Sequence, residues 1–177
     1  MKFLPTPLSG AFLIDLEPFS DERGFFARSW CCRDFERMGL THRLVQCNIS
    51  FNGQRGTLRG MHFQAKPYEE AKLVRCTMGA MFDVIIDIRP ESATFKKWFG
   101  IELSAQNRRM IYIPEGFAHG FQTLEDNTEV FYQMSEFFQP ECARGIRWND
   151  PQIGIAWPIK EGITISPKDR DFGCLQP

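Results

Sequence analysis

Short apolar runs separated by turn residues fill the middle of this sequence. The run KLVRCT (72–77) precedes MFDVIIDIR (81–89), and the intervening Met78-Gly79-Ala80 predicts a hairpin. Four more runs follow, WFGIELS (98–104), RMIYIP (109–114), GFQTLE (120–125) and EVFYQMS (129–135), with a turn at 125–127 between the last two. Strands this short and this regularly spaced predict an antiparallel sandwich or barrel.

Helical signals are scarce in the sequence. Only CCRDFERMG (31–39) reads as a helix, ending at Gly39 in the usual stop position. The 17 phenylalanines favour strands over helices. Because the chain has no linker, repeat or low-complexity tract, we expect a single all-β domain over residues 1–177 with little helix.

Alternation along two of the predicted strands places polar side chains on inward faces. Tyr132 shares a face with Val130 and Met134, so we expect its phenol to point inward. By the same parity Lys72 shares a face with Val74. A lysine facing an apolar interior is unfavourable unless an anionic group meets it, and the alternative is a solvated position at the strand end.

Composition and charge narrow the class of protein. The net charge is −1 with 43% hydrophobic residues and no basic block, so neither disorder nor nucleic-acid binding is indicated. The N-terminal MKFLPTPLSGAFLIDL lacks the apolar core of a signal peptide, and no run is long enough to span a bilayer. The six cysteines form no C-x-x-C pair. We therefore expect a soluble, cytoplasmic protein with free thiols and no membrane partner.

Two of the three histidines lie in motifs. His62 lies in GTLRGMHFQ (56–64), where it can be a metal ligand, a base or a hydrogen-bonded core residue. His119 lies in IPEGFAHGF (113–121), whose Pro-x-Gly-x-x-His resembles the second motif of the cupin superfamily of small jelly-roll barrels. Metal-binding cupins usually carry a His-x-His pair, but Met61 and Phe63 flank His62 here. We therefore expect no metal and interpret His62 as a base, since a free imidazole titrates near pH ~6.5.

Taken together, the motifs resemble the dTDP-4-dehydrorhamnose 3,5-epimerase family. The stretches that carry this resemblance are SDERGFF (20–26), QCNIS (46–50), GTLRGMHFQ (56–64), KLVRCTMGAMFDVIIDIR (72–89), LSAQNRRMIYIPEGFAHGF (103–121), RWNDPQIGIAWP (147–158) and SPKD (166–169). The resemblance implies a cupin-type jelly-roll β-barrel, usually a homodimer, that acts on a nucleotide-sugar without a metal or other cofactor.

The resemblance also implies catalytic roles. Such an epimerase removes a proton from a carbon beside the 4-keto group of a nucleotide-linked 6-deoxyhexose and returns a proton on the opposite face. His62 would be the base, and Asp169 the carboxylate that orients and charges it. Lys72 would face the developing enolate oxygen, and Tyr132 would be the acid on the opposite face.

Substrate-binding roles follow from the same resemblance. The implied contacts are Arg59 and Arg23 for the diphosphate, Gln46 and Asn48 for the nucleotide, His119 for the sugar, and Lys168 for a further part of the substrate. The family has Arg23 reach across from the partner subunit. Strand parity puts Arg59 on the face opposite His62, so the alternative role for Arg59 is a surface salt bridge. A bulge at Gly60 would turn Arg59 to the same side as His62.

Some positions depart from the family pattern. Arg28 and Ala143 stand where the family has glutamates, and Phe137 and Phe138 stand where it often has tyrosines. Three alternatives therefore remain beside the 3,5-epimerase of rhamnose-type deoxysugar biosynthesis. They are an epimerase restricted to C3 or C5, a sugar-nucleotide ketoisomerase, and a non-catalytic cupin that only binds ligand.

Overall fold

The computed structural model describes residues 1–175, whose regular secondary structure is almost entirely β-strand. In chain order these are β1 (Lys2–Pro5), β2 (Phe12–Asp15), β3 (Phe19–Asp21), β4 (Gly24–Phe26), β5 (Gln46–Asn52), β6 (Thr57–Gln64), β7 (Lys72–Met78), β8 (Ala80–Asp87), β9 (Trp98–Ser104), β10 (Met110–Ile113), β11 (Phe117–Thr123), β12 (Thr128–Met134), β13 (Ala143–Gly145) and β14 (Thr164–Ile165). The helices are α1 (Cys32–Arg37), α2 (Pro167–Arg170) and a 3-10 turn at Pro140–Cys142. None of these helices is long and apolar enough to cross a membrane.

The strands form two main sheets. The first sheet has the order β1-β2-β10-β7-β12-β5, and the second has the order β13-β6-β11-β8-β9. Pairing is antiparallel except that β14 runs parallel to β6. The hairpin of β3 and β4 pairs only with itself within the described chain. This is the two-sheet, all-β architecture that the spacing of apolar runs predicts.

The predicted hairpin between 72–77 and 81–89 is wrong. The two runs do form strands, but β7 pairs with β10 and β12 while β8 pairs with β9 and β11. Gly79 has a φ of +72° and turns the chain from one sheet into the other. A tight turn is visible in sequence, whereas the choice between pairing and crossing depends on tertiary partners.

The one predicted helix is present, and a second short helix near the C-terminus was not predicted. The expected helix over 31–39 is present as α1, which ends just before Gly39 at a φ of +69°. The short α2 has no counterpart in the sequence prediction. It begins after Ser166, whose hydroxyl accepts a hydrogen bond from the backbone N–H of Asp169 (3.1 Å). All six cysteines are unpaired thiols, as expected.

Apolar side chains pack between the two sheets and on both outer faces. The inner cluster joins the sheets through Val74, Ile111, Val130, Met81, Ile85 and Phe121. The outer face of the second sheet is covered by the C-terminal segment around Trp157. The outer face of the first is covered by α1 through Phe35, which contacts Phe3 and Tyr112 edge-on. The inner faces of the sheets therefore hold a packed core, against which Tyr132 packs.

A bulge in β6 aligns two polar residues. His62 lies opposite His119 on β11, but Arg59 lies opposite Phe121, so β6 has one more residue than β11 in this interval. Gly60, within the bulge, has a φ of +138° that side chains rarely tolerate. The bulge that the sequence allowed at Gly60 is therefore confirmed.

The bulge changes which side chains face inward. Leu58 and Met61 belong to the outer apolar cluster of the second sheet, whereas Arg59 and His62 face the space between the sheets. In a regular strand, residues three apart would face opposite sides. Within residues 1–175 Arg59 is not paired with a carboxylate, and its Nε donates to Oδ1 of Asn52 at 2.8 Å.

Candidate active site

A cavity of about 620 Å³ opens between the inner faces of the sheets. Strands β5, β7 and β12 line it from the first sheet, and β6, β11 and β13 line it from the second. Eight of the ten predicted site residues line this cavity, namely Gln46, Asn48, Arg59, His62, Lys72, His119, Tyr132 and Lys168. A volume of this size is typical of a small-molecule site.

His62 is paired with a buried carboxylate from the other end of the chain. Its Nε2 lies 2.8 Å from Oδ1 of Asp169, whose Oδ2 accepts a hydrogen bond from the Gly60 N–H at 3.1 Å. Burial alone would raise the pKa of Asp169, but hydrogen bonds from His62, Gly60 and Ser166 and the charge of His62 lower it overall. The ring of Phe172 contacts the imidazole edge-on, with centroids 5.9 Å apart. The imidazole is therefore held in one orientation beside an ionised carboxylate.

Tyr132 lines the cavity from the opposite sheet. It lies on β12 between Asn48 of β5 and Val74 of β7. Burial raises the pKa of Tyr132, although the charge of Arg59 and a hydrogen bond with Asn48 partly oppose this. The predicted inward direction is thus confirmed, and the phenol keeps its proton at neutral pH.

Lys72 is buried at the start of β7, so the solvated alternative is wrong for this residue. Its Nζ lies 2.8 Å from Oε1 of Glu70, and only 11% of the Lys72 side chain and 4% of the Glu70 side chain are exposed. Glu70 is the anionic group that the inward lysine required. The sequence analysis missed it because it lies outside the strand, where alternation gives no direction.

His119 is also paired with a carboxylate. Its Nε2 lies 2.7 Å from Oδ2 of Asp83, which is fully buried on β8. The sequence analysis missed Asp83, although strand parity could have identified it. Asp83 shares a strand face with the buried Met81 and Ile85, and a charged residue on such a face needs a partner.

Cationic side chains line the cavity from the second sheet and α2. Arg59 and Lys168 were predicted, whereas Arg144 on β13 was not. The Arg144 guanidinium donates to the backbone carbonyls of Glu141 and Ala143 at 2.8 and 2.9 Å, so no carboxylate neutralises it in the described chain. Three cations around one cavity favour an anionic ligand.

Of the two predicted site residues that do not line this cavity, Asp169 contacts His62, whereas Arg23 lies outside the site. It lies at the tip of the β3–β4 hairpin, where its side chain is 85% exposed and pairs with Asp21 at 2.6 Å. Of the positions that depart from the family pattern, Phe138 and Ala143 line the cavity. Arg28 instead lies 3.8 Å from Asp34, away from the lining residues.

Metal ligands are not clustered in the part of the chain that the structure describes. Within residues 1–175, no group of three or more histidines, cysteines, aspartates or glutamates is arranged to hold a metal ion. The two histidines of the cavity are each engaged by one carboxylate, as described above.

Sequence and structural comparisons identify the family to which the chain belongs. The family model for dTDP-4-dehydrorhamnose 3,5-epimerase matches residues 5–176. The chain belongs to this family. The enzyme of that name from Methanothermobacter thermautotrophicus is 46% identical over 99% of this chain and 95% of its own length. The family resemblance expected from the motifs is therefore confirmed.

Solved structures of family members superpose closely on the chain. The dTDP-4-dehydrorhamnose 3,5-epimerase of Elizabethkingia anophelis has a TM-score of 0.96 at 39% identity, covering 98% of this chain and 96% of its own. The epimerase of Legionella pneumophila has a TM-score of 0.92 at 38% identity, covering 98% and 92%, and its crystal structure contains dTDP-4-keto-L-rhamnose. The chain is thus an epimerase of cupin-type fold.

Proposed function

We propose that this epimerase inverts C3 and C5 of a dTDP-linked 4-keto-6-deoxyhexose, in rhamnose-type deoxysugar biosynthesis. The observation that carries the proposal is the position of the His62–Asp169 pair relative to Tyr132. The imidazole projects from the second sheet and the phenol from the first, into one cavity. A base and an acid on opposite walls are what inversion at a carbon requires.

The chemistry divides among these side chains. His62 takes the proton from the carbon beside the ketone, and the C–H electron pair moves into an enolate. Lys72 faces the enolate oxygen, where a fixed cation in an enclosed cavity is most effective. Tyr132 then gives its proton to the opposite face of the carbon and recovers one from solvent. Asp169 stabilises the imidazolium formed in the first step.

Binding roles are assigned to the remaining cavity residues. Arg59 and Lys168, together with Arg144, supply the positive charge that a nucleotide diphosphate needs. Gln46 and Asn48 lie side by side on β5 and are joined by a hydrogen bond of 3.3 Å, so both can contact the nucleoside. His119, held by Asp83, would contact the sugar.

We further infer a cytoplasmic homodimer in which Arg23 completes the partner's site. The β3–β4 hairpin exposes Phe19 (76%) and Phe26 (73%), and the edge strand β5 exposes Ile49 (64%) on a face beside the cavity. Exposed aromatic residues on a projecting hairpin favour contact with another chain. Each subunit would be one cupin-like domain over 1–177, of which residues 176–177 lie outside the described residues.

Deuterium exchange tests the function directly. The protein is incubated with dTDP-4-keto-6-deoxyglucose in D2O, and C3 and C5 are followed by NMR. Label at both carbons with formation of the inverted product supports the proposal. Label at one carbon identifies a C3-only or C5-only epimerase, and a product with its keto group at C3 identifies a ketoisomerase. Absence of exchange with any nucleotide form of the sugar contradicts catalysis and favours a binding module.

Subunit mixing tests the role of Arg23. Arg23→Ala and His62→Ala are each expected to be inactive, but a mixed dimer has one intact site that combines His62 of one chain with Arg23 of the other. Random re-association should restore about a quarter of wild-type activity. Light scattering should give twice the mass of one chain. A monomeric mass, or no recovery on mixing, contradicts the shared site.

A further inference from the structure

The two carboxylate oxygens of Glu70 have different surroundings. Oε1 lies 2.8 Å from Nζ of Lys72, whereas Oε2 is buried without a hydrogen-bond partner among residues 1–175. Both residues line the cavity. Burying two charges is itself unfavourable, and an unsatisfied oxygen adds to that penalty, so this pair is a poor device for stability. A role at the site explains it better.

The backbone fixes the pair relative to the phenol. The N–H of Ala71, between Glu70 and Lys72, donates to Oγ of Ser135 at 2.8 Å, and the N–H of Ser135 donates back to the Ala71 carbonyl at 3.0 Å. Ser135 directly follows the strand that carries Tyr132. An ammonium has three N–H donors, so pairing with Glu70 fixes its direction and leaves two donors for the cavity.

The charges around the cavity explain why the Lys72 ammonium needs a carboxylate as its counter-ion. The other titratable groups lining the cavity carry no carboxylate. They are the cations Arg59, Arg144 and Lys168, the imidazoles of His62 and His119, and the phenol of Tyr132. Glu70 is the one carboxylate among the cavity-lining residues of the described chain. Glu70 also interacts with a carboxyl outside the cavity lining: burial and repulsion from Glu69, Glu136 and Glu70 raise the pKa of Glu115. Without Glu70, the ammonium would face other cations in a partly desolvated cavity.

We propose that Glu70 is a positioning residue that keeps Lys72 charged and aimed at the enolate oxygen. The predicted effect on turnover rests on the proposed epimerase function, but the pairing of Glu70 with Lys72 can be measured without substrate. Glu70 acts through Lys72 and does not contact the reacting carbon. Its loss should therefore affect turnover through the charge of the lysine rather than through substrate affinity.

The pH dependence of Glu70→Gln tests the proposal. Glutamine keeps an acceptor for the ammonium but removes the negative charge, so Lys72 should lose its proton more readily as the pH rises. We expect kcat within about threefold of wild type at pH 6.5 and a ratio of wild-type to variant kcat that grows as the pH rises to 9.5, with KM changed less than about threefold. Glu69→Gln removes the same charge one residue away and should follow wild type throughout. A ratio of wild-type to variant kcat that is the same at pH 6.5 and pH 9.5 would overturn the proposal.

A substrate-free measurement separates this proposal from the proposed function. With 13C-labelled lysine, the Cε signal of Lys72 should titrate at a lower pH in Glu70→Gln than in wild type, because the variant removes the negative charge beside the ammonium. An unchanged titration overturns the role of Glu70 even if the wild-type enzyme is an active epimerase. If the titration shifts but the wild-type protein exchanges no deuterium, the result supports the Glu70–Lys72 pairing. It then contradicts the epimerase function and the role of Lys72 at the enolate. In a Lys72→Met background, Glu70→Gln should add no pH-dependent loss, and an added one would also overturn the proposal.

Discussion

Nε2 of His62 lies 2.8 Å from Oδ1 of Asp169, although 107 residues separate the two in the sequence. The carboxylate is buried, and its second oxygen is bound by the Gly60 N–H in the bulge just before His62. One side chain therefore connects α2, the bulge of β6 and the proposed base. This makes Asp169 both an electrostatic partner of the imidazole and a restraint on its orientation.

Asp169→Asn should reduce turnover without unfolding the protein. Asparagine keeps the size and one acceptor but removes the charge that stabilises the imidazolium, so we expect kcat to fall about 100-fold. The rate of deuterium exchange at C3 and C5 measures this loss, and the midpoint of thermal unfolding should change little. Asp171→Asn removes an exposed carboxylate from the end of the same helix and serves as the control. Equal losses in both variants would contradict a specific role for Asp169.

Tyr132→Phe should separate proton removal from inversion. The variant keeps His62, so deuterium from solvent can still enter the substrate on the face from which the proton left. Without the phenol on the opposite wall, the inverted product should fall about 100-fold while exchange persists. NMR of label and product together measures the ratio of the two. Tyr112→Phe also removes a phenol, but one that accepts a hydrogen bond from Thr41 N–H (3.1 Å) away from the cavity, and should retain inversion. Parallel loss of exchange and inversion in Tyr132→Phe would contradict the assignment.

Strand alternation predicted the directions of Lys72 and Tyr132 because a β-strand fixes side-chain direction through its period of two. Asp169 could not be reached in this way. It lies on a four-residue helix whose position depends on long-range packing, and only the resemblance pointed to it. Glu70 was missed for a similar reason, since it precedes its strand.

The path of the chain between sheets was the part that sequence did not determine. Gly79 predicted a turn correctly, but β7 and β8 enter different sheets, because their pairing partners come from distant segments. Arg23 shows a further limit. It lies at the exposed tip of the β3–β4 hairpin, outside the cavity lining, and strand patterns do not describe where such a hairpin projects.

Gly120→Ala should disturb the bulge that brings Arg59 and His62 to one side. A Cβ at position 120 would lie 2.7 Å from the carbonyl oxygen of Arg59 and 3.0 Å from the Cα of Gly60, both backbone atoms that cannot move away independently. We expect the free energy of unfolding to fall by about 1–3 kcal/mol, with a larger relative loss of exchange activity. Chemical denaturation and NMR exchange measure the two effects. Gly53→Ala is the control, because a Cβ there meets nothing within 4 Å.

The stability of the fold at low pH should depend on Asp87. Burial alone would raise the pKa of this fully buried carboxyl, but hydrogen bonds from Arg89, Ser92 and Thr94 outweigh burial and lower it to about 2. A group whose pKa is lower in the folded state contributes stability above its unfolded value and loses that contribution as the pH falls towards its folded value. The contribution, about 2 kcal/mol, should therefore be complete above pH ~4.5 and fade between pH ~4 and ~2. Denaturation of Asp87→Asn should show a lower and flatter pH profile over that window. Asp15→Asn, at a more exposed pair with Arg109, should change the profile much less. If Asp87→Asn kept the wild-type slope, the network around Asp87 would not be the source of the acid sensitivity.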